Sequence, residues 1–243
     1  MIVDLEHPAL RDRSGKGVQV AVIDSGINPT HPHVGGLIEA RALDDQGRSS
    51  EDTIDRLGHG TAVASAIHEK APGADIYVLK VFHDTLSTTV PALRRALEWA
   101  IESGMRLVNL SLGTARPEHG PLLEGVIEEA GRAGCVVVSA RSLDGVLWYP
   151  GSLPRAVGVE LDWSLDRHAM KLDPAQGNGA IAHASGYPRP IPGVHPDRNL
   201  QGISFAVANV TGLLARAFED RPELRSAKAV ADLLGAPPTC PRC

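Results

Sequence analysis

The chain has 243 residues, 43% of them hydrophobic and only 4% aromatic, enough for one large globular domain with a core built mostly from Val, Leu, Ile and Ala. Its net charge is -5, with acids and bases interspersed and no basic stripe, which argues against a nucleic-acid partner. No apolar run reaches the roughly 18 residues of a membrane span, and three cysteines are too few for a disulfide framework.

Residues 1–17 are polar, with Pro8, Gly15 and Gly17, and predict a surface lead-in. The opening MIVDLEHPAL has no apolar stretch of the secretory kind, so with the low cysteine count the expected compartment is the cytoplasm. Val18–Ile23 (VQVAVI) is an apolar run broken only by Gln19, as suits a parallel strand covered on both faces. It runs into Asp24-Ser25-Gly26, and Asn28–Gly36 is rich in turn residues. Arg41–Leu57 is polar and predicts a surface excursion. Gly58-His59-Gly60-Thr61 leads into a helix on which Ala62, Ala66, Ile67 and Lys70 have helical spacing, closed by Pro72-Gly73. Ile76–Val81 reads as a strand, and Thr88–Ser103 as a helix capped by Thr88 or Thr89 with Pro91 in its first turn. Strands at Leu107–Leu110, Cys135–Ser139 and Ala156–Val159 and a helix at Pro121–Ala133 follow. Residues 161–201 carry many Pro, Gly and Asp and predict irregular loops with at most a short hairpin. Helices at Ser204–Glu219 and Pro222–Leu234 precede a tail at 236–243, so residues 1–235 form the expected domain. Strands alternating with helices imply an α/β protein, a mostly parallel sheet with helices on both faces. Gly15-Lys16-Gly17 precedes a strand, so it is no dinucleotide fingerprint.

Three polar residues fall at the ends of elements of this one sheet: Asp24 after a strand, His59 and Ser204 at helix starts. Open parallel sheets gather their sites at the carboxyl edge of the strands. A serine at a helix N-terminus is the ordinary N-cap, but its hydroxyl also sits where the helix dipole favours an anion. Asp24 can equally cap a turn, and Asp55 is a rival carboxylate four residues before His59.

The chain order of the three, with VAVIDSGI at 20–27, HGTAVA at 59–64 and GISFAVANVTG at 202–212, resembles the subtilisin-like serine proteases, the subtilases. Tyr77–Val81 and Val108–Gly113 match two further segments, so the resemblance runs from about Val18 to Gly212. It implies the subtilisin-like three-layer fold, with Ser204 as nucleophile, His59 as general base and Asp24 as its orienting partner. It also implies that an extended peptide is held between Leu86-Ser87-Thr88 and Ser111-Leu112-Gly113 by strand addition. Asn109 reads as structural at a strand end.

The sequence departs from the family pattern at several positions. Where subtilases have an AAGN-type turn with the oxyanion asparagine, this chain reads SARSLDG, so Arg141, Ser142 or Leu143 falls there and Arg141 or Ser142 is the candidate donor. Ile203 replaces the family's Thr, Ala208 its Pro and Asn209 the following His. The link Glu69–Ala74 is too short to wrap a calcium ion needing 6–8 oxygens, so no metal or cofactor is expected. No pro-domain is expected before the core. Cys240 and Cys243 have the spacing of half a zinc site, read here as a loose tail with a zinc knuckle between chains as the alternative. The resulting expectation is an intracellular serine endopeptidase acting on a peptide or protein substrate. Its alternatives are an impaired homologue that binds peptides, or a peptide ligase or macrocyclase.

Overall fold

In the computed structural model, which describes residues 1–173 and 178–235, the apolar runs become the middle of one ten-stranded sheet. In chain order the strands are β1 (Ile2–Asp4), β2 (Gln19–Asp24), β3 (Leu37–Leu43), β4 (Ser49–Ser50), β5 (Asp75–Lys80), β6 (Leu107–Leu110), β7 (Val136–Ala140), β8 (Ser142–Leu143), β9 (Val146–Leu147), β10 (Val157–Leu161), β11 (Ala169–Leu172) and β12 (Ala180–Ala184). The helices are α1 (His59–Lys70), α2 (Val90–Glu102), α3 (Gly120–Ala133), α4 (Ile203–Phe218) and α5 (Ala227–Gly235). The sheet runs β1-β11-β12-β10-β7-β6-β2-β5-β3-β4, with β8 and β9 forming a separate hairpin. The pairs from β12 across to β3 are parallel, and antiparallel pairs occur only at the two edges.

Alternation along the central strands builds two cores. On β2, Val20 and Val22 face the core that α1, α4 and α5 cover, while Ala21 and Ile23 face the core under α2 and α3. The same switch occurs on β7 between Val136 and Val138 on one side and Val137 on the other. The central strands, buried at nearly every position, are therefore covered on both faces, and the three-layer architecture follows. α4 lies in the larger core, and from Phe205 to Ala215 every residue is buried. Thr89 caps α2, its hydroxyl accepting from the Ala92 N–H at 3.3 Å.

The structure corrects four readings. Residues 37–43, placed partly in a surface excursion, form β3 between β5 and the short edge strand β4, and its Glu39 and Arg41 pair with each other. The N-terminal lead-in contributes β1, whose Val3 is wholly buried. The hairpin allowed within 161–201 is β11–β12, and β12 also joins the main sheet through β10. The last helix begins at Ala227, with the Ser226 hydroxyl accepting from the Ala229 N–H at 3.1 Å. Cys240 and Cys243 lie outside the described residues.

α1 and β5 are joined by Ala71–Ala74 alone. At the end of α1, Glu69 receives both arms of Arg167, at 2.7 and 3.0 Å, and Lys70 at 3.2 Å. Burial works against the Glu69 charge, but the Arg167 hydrogen bonds and the neighbouring cations outweigh it and bring its pKa from 4.5 to about 2. A carboxylate depressed in this way contributes stability above pH 4.5 that is lost as pH falls through its folded value. We expect the thermal midpoint to drop between pH 4.5 and 2, with Glu69→Gln shallower over that window by on the order of 2 kcal/mol. Parallel curves for the two proteins would refute this role.

Candidate active site

Asp24 is the last residue of β2, wholly buried at the carboxyl edge of the sheet. Its Oδ1 accepts from the Ser25 N–H at 2.8 Å and lies 2.7 Å from His59 Nδ1. Its Oδ2 has no partner among the described residues. His59 is the first residue of α1, entered through Gly58 at φ +77°, a conformation that costs glycine little. Only 7% of His59 is exposed. Burial disfavours its charge, but the hydrogen bond and charge of Asp24, with a smaller pull from Asp55, prevail and raise its pKa above 6.5. The ring lies against Phe205 in the first turn of α4, centroids 5.6 Å apart.

Asp55, the rival carboxylate, has another task. Its Oδ1 accepts from Ser25 Oγ (2.9 Å) and the N–H groups of Leu57 (3.1 Å) and Gly58 (2.8 Å). Its Oδ2 accepts from the Thr61 N–H (2.8 Å) and hydroxyl (2.6 Å). Gly58 has no side chain with which to cap α1, so Asp55 and Ser25 satisfy the helix's free N–H groups from outside it, Ser25 Oγ accepting from Gly60 at 2.8 Å.

Ser204 stands in the first turn of α4 after Gly202, whose φ of +143° is accessible essentially to glycine alone. Its hydroxyl donates to the Ser111 carbonyl at 3.1 Å, and no hydrogen bond joins it to His59 in this arrangement. Beneath it runs a chain that the sequence reading left as merely structural. Thr211 Oγ1 donates to Asn109 Oδ1 (3.0 Å), Asn109 Nδ2 to Ser111 Oγ (2.8 Å), and Ser111 Oγ to the Ser204 carbonyl (3.3 Å). Asn109 and Thr211 are wholly buried, so this chain ties the end of β6 to the start of α4. Asn209, standing where the subtilases carry His, donates to the carbonyls of Ser185 (2.8 Å) and Tyr187 (3.1 Å).

The segment expected to hold the oxyanion donor is built differently. Asp144 and Gly145, both at positive φ, make the two-residue turn of the β8–β9 hairpin. Ser142 and Leu143 are thereby drawn into pairing with Leu147 and Val146. Arg141 is corrected as a free donor: its guanidinium is ion-paired with Glu160 on the adjoining β10, and its N–H donates to the Val159 carbonyl. The Asp-Gly between Ser142-Leu143 and Val146-Leu147 was the sequence signal for this hairpin.

Leu86, Ser87, Thr88, Leu112 and Gly113 line one cavity of about 640 Å³, with Trp148 at its end. Ser111 is just before it, carrying the bond to Ser204. Among the described residues, the backbone N–H groups of 86–88 and 111–113 have no protein acceptor. The cleft therefore offers two free edges to an extended chain. A Cβ at Gly113 would come within 2.6 Å of the Tyr149 carbonyl, so the wall admits no side chain there. No group of three or more His, Cys, Asp or Glu side chains is arranged to hold a metal ion among the described residues. No described helix is long and apolar enough to cross a membrane.

The profile of a family described as the subtilase family matches residues 15–170. M-protease of Shouchella clausii (strain KSM-K16) is 32% identical over 90% of this chain, which spans 59% of that protein's length. Subtilisin Savinase of Lederbergia lenta is also 32% identical over 90% of the chain and is covered over 83% of its length. A cold adapted subtilisin-like serine proteinase superposes with a TM-score of 0.71 at 21% identity, covering 92% of this chain and 83% of the other. The prenylagaramide maturation protease PagA superposes with a TM-score of 0.66 at 25% identity, over 96% and 88% of the two chains.

Proposed function

Since the chain belongs to the subtilase family, we propose that it is a serine endopeptidase working through Asp24, His59 and Ser204. The observation that carries this reading is the buried 2.7 Å contact of Asp24 with His59 Nδ1, its ring against the first turn of α4. Asp24 leaves Nε2 as the acceptor that takes the Ser204 proton as Oγ attacks a peptide carbonyl. His59 then returns that proton to the leaving amine, and water resolves the acyl-enzyme. The Ser204 N–H, at the positive end of α4, is the donor available to the developing oxyanion. Arg141, ion-paired to Glu160, is not free to add a second donor, and turnover is expected to be slow. Substrate is a peptide or protein segment, extended along 86–88 and 111–113.

A second reading, a peptide-binding homologue without turnover, draws on one feature: the Ser204 hydroxyl engages Ser111 instead of His59. In an enzyme without substrate such bonds are often long or misaligned, so the resting geometry does not favour it further. A fluorophosphonate probe separates the two. Labelling of the wild type that disappears in both Ser204→Ala and His59→Ala is the expected result. A folded wild type that takes no label would replace the enzyme by the binding module.

A further inference from the structure

A second cavity, of about 360 Å³, opens beside the start of α1 and shares no lining residue with the cleft. Its walls include Gly58, the residue before His59, and the segment 188–200 that leads into Ser204. The leaving amine takes its proton from His59, so the part of a substrate beyond the cut departs on this side. We propose that this cavity is a carboxylate-selective subsite for the segment that follows the scissile bond, with Arg189 and Arg198 as its specificity residues. The inference rests on the endopeptidase reading.

The charges in the cavity carry the argument. Arg189 and Arg198 both line it, and among the described residues neither has a carboxylate within ion-pairing distance. Among the described residues, the Arg189 guanidinium makes one hydrogen bond, of 3.4 Å to the His33 carbonyl. The one acid in the wall, Asp55, has both oxygens occupied by the Ser25, Leu57, Gly58 and Thr61 donors and offers nothing to a ligand. Nearby Asp197 lies within 3.3 Å of His195 and lines a neighbouring groove, not this cavity. His31 and His33 complete the basic wall, with rings 5.2 Å apart. Burial, and then the Arg189 charge, keep the His33 pKa below 6.5, so His33 adds little charge at neutral pH to that of the two arginines. This basic pocket sits on a chain whose net charge is -5, so general attraction to polyanions does not account for it. A guanidinium matches a carboxylate with two parallel N–H donors. The carboxylate has two possible sources: an Asp or Glu side chain just after the cut, or the chain terminus of a short leaving segment.

Two measurements test this. In the first, a random dodecapeptide library is digested and the products are read by mass spectrometry. Asp and Glu are expected to be enriched about five- to tenfold in the first positions after the cut, and the enrichment to fall toward unity in Arg189→Gln/Arg198→Gln. In the second, the Ser204→Ala protein is titrated by NMR with Gly-Asp-Glu-Asp-Glu and Gly-Asn-Gln-Asn-Gln, each as amide and as free acid. Tighter binding of the acidic amide, lost in the arginine double variant or in the exposed Arg198→Gln alone, assigns a side-chain carboxylate. Preference for the free acid within the neutral pair assigns the chain terminus. Equal or undetectable binding of all four peptides, or a preference that survives the double variant, overturns the subsite. Failure of the enzyme reading is a separate result: no fluorophosphonate label and no digestion, with the binding preference intact.

Discussion

Asp24→Asn is expected to lower the kcat of peptide hydrolysis by on the order of 10³–10⁴ while leaving the fold intact. An asparagine presents an amide where His59 Nδ1 now meets an oxygen at 2.7 Å, and the wrong tautomer removes the acceptor from Nε2. The pH dependence should move with it. A base must be neutral, so kcat/KM rises as pH climbs through the His59 pKa, which lies above 6.5 because Asp24 overcomes the effect of burial. Without that carboxylate, burial prevails over the smaller pull of Asp55, and the acid limb shifts to lower pH. The stability contribution has the opposite sense. A raised histidine pKa favours the folded state fully below 6.5 and loses that contribution as pH passes the folded value. An NMR titration of the His59 ring reads the same shift without any substrate. A ring that titrates identically in wild type and variant would remove Asp24 from the site.

Gly60→Ala should cost about 2–3 kcal/mol in stability and ~10²-fold in activity. A Cβ there would stand 2.3 Å from the Gly26 carbonyl oxygen and 3.2 Å from the N–H groups of Gly26 and Ser25. All three neighbours are backbone, so none can swing aside. Gly26 is itself confined, at φ +104° and with its own Cβ position 2.4 Å from the Thr53 carbonyl. Relief can come only by moving α1 away from β2, which lengthens the contact between His59 and Asp24. Gly58→Ala is the contrast. Its φ of +77° strains an alanine, but open space surrounds it, so about 1 kcal/mol and little change in activity are expected. Chemical denaturation of the two variants decides the matter: equal losses would mean that backbone strain, not the close approach of two chains, governs this junction.

What local sequence determines here is the middle of the molecule. Val18–Ile23, Ile76–Val81, Leu107–Leu110 and Cys135–Ser139 are apolar but for Gln19, Lys80, Asn109 and Ser139, and such runs have to be covered on both faces, so β2, β5, β6 and β7 and the helices α2, α3 and α4 were legible within two residues. The places of Asp24 at the end of a strand and of His59 and Ser204 at helix starts were legible too, because glycines mark them. The edges were not. Leu37–Leu43 carries Glu39 and Arg41, and only its pairing with β5 makes it a strand; β1 exists through a partner some 170 residues away. Near the site, Asp55 became a helix cap because Gly58 left N–H groups unmet, and Arg141 became a partner of Glu160 because β7 and β10 are neighbours. Covalent pattern and periodicity act over a few residues and decide strands, helices and their caps. Charge pairing, edge pairing and the basic cavity beside His59 depend on which strands and loops lie side by side, and only the folded sheet decides that.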